Sequence, residues 1–144
     1  MSEEAELPWV YVASRASVPE RPKMWQGLRS QCGWRITSTW IDEAGEGETE
    51  SFSGLWERIG PEIARADGLI LYAEASDLPL RGALVEVGMA LGMGKRVAVV
   101  VKDMQLEPRS MRPMGSWMAH PLVKVRAGLW GAWLWAATGF ETAA

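Results

Sequence analysis

The sequence has few of the residues that most often build disulfides, metal centres and hydrolytic triads. Its 144 residues include one cysteine, Cys32, and one histidine, His120. A lone cysteine excludes an internal disulfide and a cysteine-rich zinc site, and it fits a reducing compartment. A lone histidine leaves little for a histidine-based metal site or a Ser-His-Asp triad. We therefore expect chemistry that needs no metal and no redox cofactor.

The sequence also lacks an excess of positive charge, a signal peptide and an apolar run of membrane length. Fifteen basic and 18 acidic residues give a net charge of -3, so no surface for a nucleic-acid polymer is indicated. The first residues, MSEEAELPW, are acidic and polar, unlike a signal peptide. The apolar run from Gly128 to Phe140 is too short for a bilayer about 30 Å thick. We expect a cytoplasmic protein without a membrane partner.

Predicted strands and helices alternate along the chain, which we interpret as one domain spanning residues 1–144. This alternation is typical of a three-layer α/β fold with a parallel sheet of about five strands. The predicted strands are 8–13, 34–40, 68–73, 96–101 and 121–125, and the predicted helices are 22–32, 51–66, 82–94 and 129–138.

The segment from Gly82 to Gly94 reads as a helix that is apolar almost all the way round, so it should be well buried. Its one ionisable residue is Glu86. A buried carboxylate is costly unless something compensates it. Glu86 could cap its helix or pair with Arg81 or Lys95. It could instead be a functional carboxylate, fixed and shielded by the helix and favoured by the helix dipole. Gly82 and Gly88 leave room for a ligand or for close packing.

Polar residues follow the first predicted strand at its carboxyl end, where open α/β sheets bind ligands. Ser14, Arg15 and Ser17 could bind a phosphate through hydroxyl groups, backbone N–H groups and a guanidinium. The alternative is an ordinary solvated loop, since no Walker glycine pattern is present. The carboxylate-rich segment 41–50 reads as a solvated loop or a lid, and its spacing matches no calcium loop.

The segment GALVEVGMALGMGKRV, after an Ala-Asp-plus-apolar strand, resembles the nucleoside 2-deoxyribosyltransferase family and its nucleotide N-glycosidase relatives. The first strand, Tyr11-Val12-Ala13-Ser14, is also similar to that family. The resemblance implies a flavodoxin/Rossmann-like five-stranded sheet in the order 2-1-3-4-5. It further implies a homodimer or larger assembly, for which the tryptophan-rich termini offer contact surfaces.

The resemblance also implies roles for individual residues. Glu86 matches the family's nucleophile, Tyr11 matches a tyrosine that orients it, and Asp67 matches an aspartate that assists protonation of the base. Asp67 could instead be a corner carboxylate between helix and strand. Where the family often has a small or acidic residue before its glycine turn, this chain has Leu80-Arg81-Gly82, and the nearest acid is Asp77. Arg81 could bind a 5′-phosphate or simply lie at the rim.

The predicted substrate is a small molecule, a nucleoside or a nucleoside 5′-monophosphate. Its N-glycosidic bond would be cleaved or transferred with Glu86 as nucleophile, without a cofactor. Two alternatives are a non-catalytic nucleotide sensor on the same fold and an interaction module that uses the tryptophan-rich C-terminal helix. Base release distinguishes the enzyme from the sensor, and a pocket beside Glu86 argues against the interaction module.

Overall fold

A parallel sheet forms the centre of the computed structural model, which describes residues 7–43 and 51–142. Its four strands, in chain order and also in spatial order, are β1 (Val10–Ala13), β2 (Gly68–Glu74), β3 (Arg96–Lys102) and β4 (Val123–Val125). The strands β1 and β2 are buried along almost their whole length, as expected for strands covered on both faces. The predicted α/β class with a parallel sheet is confirmed.

The prediction of a strand at 34–40, the second of the five predicted strands, is wrong, and the described residues form a sheet of four strands. Only Ile36 pairs with β1, through a single parallel bridge to Val10. Beyond it the hydroxyl of Ser38 accepts a hydrogen bond from the backbone N–H of Val12 at 2.8 Å and replaces the next ladder bond. The indole N–H of Trp40 donates to the Val12 carbonyl oxygen at 2.8 Å. Beyond Ile36, side chains thus bond to the backbone groups of β1 in place of a paired strand. The segment lies at the edge of β1 that faces away from β2.

The helices have the positions that the sequence predicts, with ends shifted by a few residues. They are α1 (Glu20–Cys32), α2 (Phe52–Arg65), α3 (Gly82–Gly92) and α4 (Leu129–Trp133), the last continued by a π-helical segment, Leu134–Thr138. Helix α1 ends at Gly33, whose left-handed backbone (φ 72°) suits glycine. Helix α2 begins after Ser51, whose hydroxyl accepts a hydrogen bond from the N–H of Gly54.

Helices cover both faces of the sheet. Tyr11 and Leu69 lie side by side in register and point to the face on which α2 and α3 pack. Val10 and Gly68 point to the other face. There the π-helical segment approaches so closely that a Cβ at Gly68 would lie 2.1 Å from the carbonyl oxygen of Ala136. Only glycine fits this contact.

Helix α3 is less buried than its apolar sequence predicts. It contacts the sheet through Ala83, Val87 and Ala90, which recur at helical spacing. The outer side carries Val85, which is 54% exposed, and Gly88. The expectation of a well buried helix holds only for the inner side, because α3 lies in an outer layer with nothing described beyond it.

The acidic segment falls largely outside the described residues, which end at 43 and resume at 51. Of its acids, Asp42 pairs with Arg29 and Glu43 pairs with Arg58. Neither of the two interpretations, a solvated loop or a lid, is therefore tested by the described residues. Within the described ranges, no helix has the length and apolar character needed to cross a membrane.

Candidate active site

A pocket of about 600 Å³ opens at the carboxyl edge of the sheet. The loop after β1 and the loop between β2 and α3 form one side of it, and α2 forms the other. Its lining is Ser14, Arg15, Ala16, Ser17, Phe52, Leu55, Trp56, Ile59, Pro79, Leu80, Arg81, Gly82, Ala83 and Glu86. Another groove of about 420 Å³ lies apart, between the end of α1 and α4, and contains none of the predicted site residues.

Glu86 lies in the second turn of α3 and reaches the pocket with a largely buried side chain. Burial raises the pKa of its carboxyl group from 4.5 to about 7; an interaction with Tyr11 lowers it, and the negative charge of Glu62 raises it further. Within the described residues it forms no ion pair with Arg81 or Lys95, and the ammonium of Lys95 donates instead to the carbonyl oxygen of Ala64. It does not cap its helix. The two structural alternatives for Glu86 are thus not what the structure shows.

Tyr11 lies beneath Glu86 and is fully buried. Burial raises the pKa of its hydroxyl group far above the ordinary value of 10, and the charge of Glu86 raises it further. The hydroxyl is close enough to affect the pKa of Glu86, but the contact falls short of a well-formed hydrogen bond. No other group among the described residues forms a hydrogen bond with the Tyr11 hydroxyl. Tyr11 therefore has a donor to offer to Glu86 or to a ligand.

Arg15 and Ser17 face the pocket together. The guanidinium of Arg15 donates to the Ser17 hydroxyl at 3.3 Å and to the Asp77 carbonyl oxygen at 3.0 Å. Both side chains are exposed. Ser14 also lines the pocket, but its hydroxyl accepts a hydrogen bond from the Trp25 indole at 2.9 Å and is nearly buried. Arg81 is exposed at the start of α3, so two cations border the pocket.

Asp77 is placed behind the pocket and does not line it. Its buried carboxylate binds the Arg21 guanidinium through two hydrogen bonds of 3.0 and 2.9 Å. It also accepts a hydrogen bond from the backbone N–H of Glu74 at 2.9 Å. The Asp77 carboxylate thus fixes the loop after β2, and the Asp77 backbone carbonyl oxygen accepts the hydrogen bond from Arg15. This placement suits a supporting role more than a direct contact with substrate.

Asp67 is not brought together with the other predicted site residues. It immediately precedes β2, at the amino edge of the sheet, whereas the pocket opens at the carboxyl edge. Its carboxylate accepts a hydrogen bond from the backbone N–H of Trp9 at 2.9 Å. The geometry matches the corner carboxylate that the sequence left as an alternative.

Helix α2 contributes pocket residues that the sequence analysis did not place there. Phe52 is 73% exposed and Trp56 is 37% exposed, and both line the pocket. A Cβ built at Gly82 would lie 3.6 Å from Trp56 Cζ2 and 4.0 Å from Glu86 Oε2, so the indole and the carboxylate flank the same glycine. In the sequence, Trp56 belongs to a row of apolar residues at helical spacing, which is typical of core packing.

Within residues 7–43 and 51–142, no group of three histidine, cysteine or carboxylate side chains is arranged to hold a metal ion. Arg15 and Arg81 are suited to an anion, and the aromatic side chains of α2 are suited to a planar ring. The pocket thus combines one acidic side chain, two cations and an aromatic wall.

No protein-family model and no curated protein sequence matches this chain. Among solved structures it is similar to the CMP N-glycosidase BcmB of Clostridium botulinum. The TM-score is 0.50 and the sequence identity is 16%, over 82% of this chain and 87% of the other. At this identity the likeness concerns the fold alone, and the chain has a Rossmann-like α/β fold similar to that of an N-glycosidase.

Proposed function

We propose that this protein cleaves or transfers the N-glycosidic bond of a nucleoside or nucleoside 5′-monophosphate, with Glu86 as the nucleophile. The main support is Glu86 itself, a shielded carboxylate that has no ion pair among the described residues and that opens into a pocket at the carboxyl edge of the sheet. The fold is similar to that of a CMP N-glycosidase, which agrees with this chemistry. Glutamate nucleophiles in glycosyl transfer act from shielded positions of this kind.

The reaction would proceed in two displacements. A carboxylate oxygen of Glu86 attacks C1′, the bond from C1′ to the base nitrogen breaks, and the base leaves with that electron pair and takes up a proton. Water, or the nitrogen of a second base, then attacks C1′ of the glycosyl ester and releases Glu86 as a carboxylate. Two displacements at C1′ retain the configuration of the sugar. Tyr11 would orient the attacking oxygen through its hydroxyl, which has no hydrogen-bond partner in the described part of the chain.

The two ends of the pocket suit the two ends of a nucleotide. Arg15, held by Ser17 and by the Asp77 carbonyl oxygen, can bind a 5′-phosphate through charge-assisted hydrogen bonds, and Arg81 adds a second cation. Phe52 and Trp56 offer aromatic surface for the base, beside Glu86. The sugar would then lie over Gly82, which has no side chain of its own and is flanked by Trp56 and Glu86.

The test is a screen of nucleosides and 5′-monophosphates for release of free base. The wild-type protein should release base from at least one of them, and Glu86→Gln, which keeps the volume of the side chain, should abolish release while the protein stays folded. Glu57→Gln is the matched control, because Glu57 is an exposed glutamate of α2 outside the pocket. Equal activity in wild type and Glu86→Gln would contradict the proposal.

A non-catalytic nucleotide sensor is the second candidate, and one observation favours it. Glu86 is the one acidic residue among the described residues that line the pocket, and Asp67, expected to assist base departure, lies at the other edge of the sheet. A sensor would bind a nucleotide tightly by calorimetry and release no base from any substrate of the screen.

A further inference from the structure

Glu62 is a buried carboxylate for which the proposed reaction has no use so far. Its residue is 3% exposed, on the inner side of α2, one turn after the pocket residue Ile59. Two donors of Thr39 anchor its oxygens, the backbone N–H at 3.2 Å and the hydroxyl at 2.6 Å. The guanidinium of Arg58 donates in turn to the Thr39 hydroxyl at 3.3 Å. A carboxylate that is buried and anchored in this way has a fixed position.

The anchored carboxylate lies on the helix that packs against the two elements bearing Tyr11 and Glu86. Helix α2 packs against both β1 and α3, which bear Tyr11 and Glu86. The negative charge of Glu62 acts on both groups, and it raises the pKa of the Glu86 carboxyl group and of the Tyr11 hydroxyl group. The buried Tyr11 hydroxyl, unpaired among the described residues, belongs to the same cluster. Glu62, Glu86 and Tyr11 therefore form one shielded cluster where α2, α3 and β1 pack together.

Few other charges reach this space. On the sheet face toward α3, the strand positions in register with Tyr11 and Ala13 are apolar, namely Leu69, Leu71, Val97 and Val99. The remaining charged groups near Glu86 are Arg15 and Arg81 at the pocket mouth and Arg58 behind Thr39. Arg58 is itself paired with Glu43. Among the described residues, Glu62 is thus the anion whose charge acts on Glu86.

We propose that Glu62 is a positioning residue of this site, a fixed negative charge that acts through Tyr11 and Glu86 and moves the pH range in which Glu86 serves as nucleophile upward. The inference rests on the proposed function. Glu62 does not line the pocket, so its effect reaches the substrate only through Glu86. A carboxylate beside a second anion holds its proton to higher pH and is a stronger nucleophile once ionised.

The direct measurement is the titration of Glu86 followed by NMR of carboxyl-labelled glutamate, with the signal assigned by its absence in Glu86→Gln. In Glu62→Gln the midpoint should shift downward from about 7, and it should stay above 4.5 because burial, the largest cause of the raised pKa, is unchanged. In Glu62→Asp, which keeps the charge, it should stay near the wild-type value. Glu57→Gln, which removes an exposed charge from the same helix, should leave it unchanged.

The pH dependence of base release provides the second readout. The acidic limb of kcat/KM should move to lower pH in Glu62→Gln by the same shift as the Glu86 midpoint, an effect that a purely structural role would not produce. If Glu62→Gln does not fold, Thr39→Val combined with Glu62→Met removes donor and acceptor together and serves in its place.

An unchanged Glu86 midpoint in the charge-removing variant overturns the proposal, whether or not the protein releases base. A shifted midpoint in a protein that releases no base supports the electrostatic coupling and contradicts the proposed function instead. The two failures are thus distinguishable.

Discussion

Glu86→Gln should stabilise the protein by an amount that grows with pH. Burial raises the pKa of Glu86 from 4.5 to about 7 in the folded state, assisted by the charge of Glu62. Between these values the folded protein holds a proton that the unfolded chain releases. Because the folded state binds more protons there, the wild-type free energy of unfolding falls as pH rises from about 4.5 to about 7 and levels off above that.

The magnitude follows from the two pKa values. Between pH 5 and pH 8 a group that titrates near 7 when folded and near 4.5 when unfolded removes about 2.5 kcal/mol of stability. Glu86 retains some contact with solvent, which reduces the effect, so we expect about 2 kcal/mol. Glutamine has no charge and does not show this loss. Other shifted carboxyl groups, such as Asp42 and Glu107, are the same in both proteins and cancel.

The assay is urea unfolding of wild type, Glu86→Gln and Glu57→Gln at pH 5 and pH 8. The stability gained by Glu86→Gln should be about 2 kcal/mol larger at pH 8 than at pH 5, and Glu57→Gln should follow the wild type at both. A gain that is equal at the two pH values, within about 0.5 kcal/mol, would show that Glu86 titrates as an exposed glutamate and would refute the reasoning.

Three further predictions concern the groups around the pocket and the C-terminal segment. Arg15→Ala should weaken binding of a 5′-monophosphate by about 1.5–3 kcal/mol in calorimetry and leave the matching nucleoside unaffected, whereas equal losses would remove the phosphate role. Arg21→Met leaves the buried carboxylate of Asp77 without its cation and should cost about 3 kcal/mol in denaturant unfolding, whereas a loss below about 1 kcal/mol would mean that the pair adds little. Light scattering should show a dimer or larger assembly that Trp130→Ser weakens, because Trp130 is 64% exposed and stacks on Trp133 at 5.3 Å; a wild-type monomer at micromolar concentration would contradict this.

Local patterns were sufficient for the layers of the fold, and they singled out Glu86, whose role stays a prediction. The continuous apolar runs of β2 and β3 predicted central parallel strands, and the single acid in an apolar helix marked Glu86. The segment 34–40, predicted as a strand, pairs with β1 only around Ile36, because the next backbone groups of β1, those of Val12, bond to the side chains of Ser38 and Trp40. The hydroxyl of Ser38 occupies a backbone position in the ladder, and no periodicity in the sequence reports such a substitution.

The rest of the site depends on contacts between residues far apart in the sequence. Asp77 reads as a pocket acid until its partner Arg21, 56 residues away, is placed beside it. Glu62 and Trp56 read as parts of an ordinary amphipathic helix, because only the packing of α2 on β1 and α3 brings them to Glu86. Asp67 illustrates the opposite case, in which a motif match places a residue at the edge of the sheet away from the pocket.

The most direct test of the account is covalent trapping of Glu86. A 2-fluoro-sugar analogue of a nucleoside that the protein cleaves forms a glycosyl ester that resolves slowly. Mass spectrometry of the digested protein should then show the mass of the fluoro-sugar on the peptide that contains Glu86 in wild type and in Glu57→Gln, and no added mass in Glu86→Gln. An adduct on a different residue, or base release from the analogue without any adduct, would contradict Glu86 as the nucleophile.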